Sequence, residues 1–117
     1  MSKSRRVNVN GNAGAYVDIQ ATMACRGAEI IEDDSLTAQG LTFKLPADGF
    51  VQEYNVALAR EPIQLGNAIA TGAGSGDLLG LPANGDVGAP NRREADVLIK
   101  LRSATVTATA VRVTEID

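Results

Sequence analysis

The chain has 117 residues, 44% of them hydrophobic and 3% aromatic, with a formal net charge of −3, one cysteine and no histidine. That length and apolar content support one folded domain with its own core and exclude disorder throughout. The missing imidazole excludes Ser-His-Asp and Cys-His catalysis. With a single thiol, it also excludes the usual Cys/His zinc sites and any intramolecular disulfide.

The opening stretch, Met1 to Asn10, carries basic residues with no apolar run behind them, so it does not read as a signal peptide. No segment reaches the roughly 20 apolar residues of a membrane span. Assembly in a reducing cytoplasm is the expectation. Lys3, Arg5 and Arg6 read as solvated surface or local salt pairing. The sharper alternative is an N-terminal arm that touches an acidic partner or a nucleic-acid backbone, although the acidic balance of the chain opposes a broad nucleic-acid face.

Val7 and Val9 alternate with polar neighbours, and Asn10 to Gly14 is rich in turn-forming residues. Val17, Ile19, Ala21, Met23 and Cys25 then share one parity, which predicts a long half-buried strand and, with the first segment, an opening hairpin. Tyr16 falls on an outward face beside Asp18, a pairing suited to a protein contact. Cys25 shares the apolar face of Ile19 and Met23 and reads as a buried, inert thiol. Gly27 interrupts the alternation and predicts a bulge. Glu29, Glu32, Asp33 and Asp34 read as a solvated acidic turn; as a Ca²⁺ loop they lack the EF-hand spacing and its glycine.

Leu41, Phe43 and Leu45 predict a strand, Pro46 to Gly49 a turn, and Phe50, Tyr54, Val56 and Leu58 one face of the returning strand. Residues 66–91 hold more than half of the twelve glycines and two of the four prolines. A structureless loop of that length is uncommon within a compact domain. It reads as a projecting arm whose apolar beads, Ile69, Leu78, Leu79, Leu81 and Val87, order against a neighbour. Arg92 and Arg93 close it and join the first four as interaction candidates. The glycine run from Gly72 to Asp77 lacks the Gly-Lys-Ser/Thr ending of a phosphate loop.

Val97, Ile99 and Leu101 predict a strand in preference to a helix begun at Asn91 and Glu94, because β-branched residues and alternation prevail there. Leu98 breaks the polar face. Ser103 to Ile116 has strong strand composition with a parity shift near Ala110, which a bulge or burial on both faces would explain. The count of short strands gives an all-β domain spanning residues 1–117, an antiparallel β-sandwich or a jelly-roll-like small barrel with a long Gly-rich arm.

The run Tyr16-Val17-Asp18-Ile19, then Cys25-Arg26, Glu29 to Asp33, Gly40 to Pro46 and the terminal Thr-Ala-Val-Arg-Val-Thr-Glu-Ile resembles small structural proteins of tailed bacteriophages. The resemblance covers most of the chain and lies in its character: a short β chain, few aromatics, Ala, Gly, Thr and Val in abundance, and a Gly-rich arm. It implies a head decoration or cement protein, assembled in the host cytoplasm and located in the virion. Its partners would be copies of itself, often as a trimer, and a major capsid or other virion protein. Neither membrane nor cofactor is expected, and no catalytic or metal-binding residue. A ligand- or carbohydrate-binding β module, such as a tail or fibre component, is the alternative.

Overall fold

A strand that is apolar on one side has to bury that side, and two such sheets laid face to face satisfy each other. The computed structural model describes residues 3–23, 25, 27–33, 38–46, 49–56, 62–66 and 97–116. These form eight strands: β1 (Lys3–Val9), β2 (Val17–Gln20), β3 (Gly27–Glu32), β4 (Leu41–Lys44), β5 (Tyr54–Val56), β6 (Ile63–Gly66), β7 (Val97–Ser103) and β8 (Thr109–Ile116). No helix occurs among the described residues. The strands make two antiparallel sheets, ordered β1-β8-β3-β6 and β2-β7-β4-β5. Packed against each other, they form a β-sandwich.

The core draws on both sheets. Ile30, Leu65, Val111 and Val113 come from the first, and Ile19, Leu41, Ile99 and Leu101 from the second, all of them buried. Each contributes about 1.5–3 kcal/mol by leaving water. Phe43 is the one buried aromatic, and its ring stacks on that of Tyr54 with centroids 5.6 Å apart.

Several local expectations are corrected. β1 and β2 do not form a hairpin: β1 pairs with β8, β2 with β7, and the Asn10–Gly14 turn carries the chain from one sheet to the other. The strand predicted over 17–25 ends at Gln20. Its inward parity continues in buried Ala21 and Cys25, but the Thr22 amide donates to the Glu115 carboxylate (2.8 Å) instead of to a neighbouring strand. Gly27 is not a bulge; it opens β3 and lies between Ile116 and Gly66 in an unbroken ladder. Parity changes there because the chain crosses to the opposite sheet.

The bulge lies elsewhere. Ile19 pairs with Ile99 and Gln20 with Val97, so Leu98 is skipped and turned inward to full burial. Phe50 is in the turn after β4, not in β5. The long C-terminal strand is split: residues 104–107 are bends, and β8 starts at Thr109 with three consecutive buried residues. β6, a strand on the edge of the first sheet, was not expected from the sequence; Gly66, counted with the arm, is its last residue.

Two ends of the fold are fastened by polar groups. The Asn10–Gly14 turn lies against the 104–108 segment, with Asn12 N donating to the Thr105 carbonyl and Ser103 N to that of Asn10, both at 2.8 Å. A Cβ on Gly11 would sit 2.2 Å from the Val106 carbonyl oxygen. At the far end of β8, Glu115 is fully buried. It accepts from the Thr22 amide and hydroxyl and pairs with Arg5, which also donates to the Gln20 carbonyl (2.6 Å). Burial alone would raise the Glu115 pKa, but the two Thr22 bonds and the Arg5 guanidinium outweigh it and hold the carboxyl below its ordinary value of 4.5.

Two predictions follow from these contacts. Gly11→Ala should lower stability by more than about 1 kcal/mol in urea unfolding, since backbone must move to admit the methyl group. Glu115→Ala should cost about 1–3 kcal/mol by leaving the Thr22 amide and hydroxyl and the half-buried Arg5 without their acceptor. Because the folded-state pKa is depressed, the stability due to Glu115 is present above the ordinary carboxylate value and is lost as pH falls through the folded one. In wild type, unfolding free energy should therefore decline below about pH 5; in Glu115→Gln that part of the decline should be missing.

Candidate functional site

Alternation that turns Ile19, Leu41, Phe43, Ile99 and Leu101 inward turns Asp18, Thr42, Lys44, Lys100 and Arg102 outward on the second sheet. The pairing registers then set them in two rows. Asp18 lies opposite Lys100, and Lys100 opposite Lys44. Arg102 lies opposite Thr42, and Thr42 opposite Asn55, whose Oδ1 accepts from the Thr42 hydroxyl (3.1 Å).

Tyr16 is the hub of this face. The sequence places it outward, available to a partner; in the structure it is half-buried and already engaged. Its hydroxyl donates to Glu53, with Arg102 Cζ 4.3 Å and Lys44 Nζ 4.7 Å from the ring centroid. Arg102 also donates to the Gly14 carbonyl (3.1 Å) and to Glu53 Oε2 (3.3 Å). Its Nε is buried without a hydrogen-bond acceptor among the described residues. Burial, and then the bond to Glu53, push the Tyr16 pKa up to about 12, against the opposing pull of Arg102.

Phe50 adds a second ring. It follows Gly49, and both take left-handed backbone angles, φ 63° and 73°. The turn closes through Gly49 N to the Pro46 carbonyl and Phe50 N to that of Leu45. A bulky side chain in that region costs about 1–3 kcal/mol. Here it brings the Phe50 ring to 4.7 Å from Lys100 Nζ. Val51, the next residue, is 76% exposed.

Other candidates have structural duties. The Cys25 thiol is wholly buried. The acidic turn is not simply solvated. Glu32 is buried, and its carboxylate accepts from Gln39 N (2.5 Å), Gly40 N (3.0 Å) and the Thr109 hydroxyl (2.8 Å). Asp33 pairs with Arg6 and Arg112. Asp34 lies outside the described residues. Among those described, no three His, Cys, Asp or Glu side chains gather as a metal site. Arg5 and Arg6 serve local pairing, through Glu115 and Asp33. Ile69, Leu78, Leu79, Leu81, Arg92 and Arg93 all lie outside the described residues, as does the 66–91 segment beyond Gly66.

Sequence reasoning put Lys44, Lys100 and Arg102 outward by parity but did not single them out. The missing information was strand order: without knowing that β4 adjoins β7, the row cannot be assembled. No family model, no curated protein and no solved structure matches this chain.

The Tyr16 hydroxyl gives a direct test of the hub. Its raised folded-state pKa means that the stability it contributes is present below pH 10 and is lost as pH rises from 10 to about 12. Ultraviolet phenolate titration should show one tyrosine ionising near 12. Tyr16→Phe should remove that step and cost about 1 kcal/mol of stability at neutral pH.

Proposed function

We propose that this protein is a virion structural component of a tailed phage, a head decoration or cement protein that works by protein–protein contact and not by catalysis. The observation that carries the reading is the outer face of the second sheet. There Tyr16, Phe50, Lys44, Lys100 and Arg102 are held in place by one another, with Val51 exposed beside Phe50. Tyrosine and arginine in a fixed arrangement are typical of protein interface centres, because little side-chain freedom remains to be lost on binding. The resemblance in sequence character supplies the setting. On a lattice, many copies of a modest contact give high avidity. The partners are then copies of this chain and a major capsid or other virion protein.

A carbohydrate-binding module is less well supported. Sugar recognition by stacking needs an open aromatic face, and both rings on this surface carry cations within 4.7 Å of their centroids.

The reading is tested on particles sedimented from a lysate of the producing cells. After washing, quantitative mass spectrometry should find this chain in many copies per particle, and gold-labelled antibody should decorate the heads. A chain recovered only in the soluble fraction would refute the proposal.

A further inference from the structure

Lys44 and Lys100 stand directly opposite each other across β4 and β7. Like charges in that position repel, and an exposed pair is normally relieved by an intervening carboxylate. Among the described residues, Asp18 is the one carboxylate within ion-pair distance of either lysine. It reaches Lys100 alone, at 3.8 Å, and is itself half exposed. Lys44 has no carboxylate partner among the described residues; its ammonium rests over Tyr16, as that of Lys100 rests over Phe50, each at 4.7 Å.

An aromatic ring positions an ammonium without cancelling its charge. Both rings are themselves held: Tyr16 by Glu53 and Arg102, Phe50 by a strained left-handed turn. The result is two neighbouring cations, fixed in place and only partly compensated, on the surface of a chain whose net charge is −3.

We propose that Lys44 and Lys100 form a clamp for a carboxylate on an acidic segment of a partner protein, with Tyr16 and Phe50 as its side walls. The clamp fits an isolated carboxylate better than a polyphosphate backbone. Asp18 and Glu53 flank it, and their charges would repel the successive phosphates of a nucleic acid, whereas a single side chain can enter between them. This inference deepens the protein-contact reading above and rests on it. Its test uses the isolated chain, so either can fail without the other.

The probe is an end-capped Gly-Ser-Glu-Ser-Gly peptide with one carboxylate, added at low salt to the isotope-labelled full-length protein and followed by amide chemical shifts. Residues 42–44 and 99–101 should move most, and added salt should reverse the change. Lys44→Ala/Lys100→Ala should weaken binding about tenfold or more, the product of two modest charge contacts. Asp18→Asn, which removes the competing carboxylate, should strengthen it. Unchanged circular dichroism is expected, since both lysines lie outside the core; should the alanine pair unfold, Lys44→Gln/Lys100→Gln replaces it with nearly the same volume. Absence of binding, shifts centred elsewhere, or affinity indifferent to these substitutions would overturn the clamp. An oligothymidylate that binds the same residues as tightly would overturn it in favour of a phosphate site.

Discussion

Glu115 determines how the two sheets sit on each other. It occupies the inward parity of β8 after Val111 and Val113, a place an aliphatic residue would ordinarily take. A carboxylate there is tolerable only if its charge and lone pairs are satisfied. Two elements satisfy it: Arg5 from β1 on the neighbouring strand, and Thr22 from the segment that leaves β2 in the other sheet. Arg5 reinforces the same junction through the Gln20 carbonyl. A one-residue slip of β8 would expose Glu115 and strand Arg5, and it would also turn Val111 and Val113 outward. The polar junction therefore selects a register that aliphatic contacts alone, in a core with a single buried aromatic, would specify less sharply.

Glu32 repeats the device at the end of β3, again on the parity set by Ala28 and Ile30. There the partners are mainly backbone amides, so this carboxylate fastens the return from β3 to β4. Arg6, Arg112 and Asp33 close a third polar group on the outside of the first sheet. These acids and bases hold neighbouring elements of the fold together. The second sheet's outer face differs, because its cations are tied to rings more than to carboxylates.

Much of this was legible in the residues. Alternation at Leu41, Phe43 and Leu45 and at Val97, Ile99 and Leu101 gave β4 and β7, and Pro46 to Gly49 gave the turn between β4 and β5. Alternation also contains the buried acids, since Ile30 points to Glu32 and Val113 to Glu115; the assumption that a carboxylate faces water hid them. Leu98 shows a subtler failure. It breaks period two in the sequence, and only the pairing of β2 with β7 shows it to be the skipped residue. Tyr16 was placed on the correct face, but its occupation by Lys44 and Arg102 depends on strands far apart in the chain. Long-range adjacency is not a local property, so composition and parity cannot supply it. Ile63 to Gly66 was missed because four residues beside a Gly-rich run give too short a pattern.

The contrast between the two rows on the second sheet is what the proposed clamp rests on. In the row of Arg102, Thr42 and Asn55, Arg102 is offset by Glu53, and the other two satisfy each other. Such a row is complete by itself. In the row of Asp18, Lys100 and Lys44, the carboxylate reaches Lys100 alone, and rings hold both ammoniums. A second carboxylate within ion-pair distance of Lys44 would have relieved the repulsion and quenched the local field together. Aromatic walls hold the ammoniums while leaving their field intact. One of those walls is obtained at the cost of an unfavourable backbone angle at Phe50. Stability of the isolated chain does not favour that choice; the proposed carboxylate clamp would give it a use.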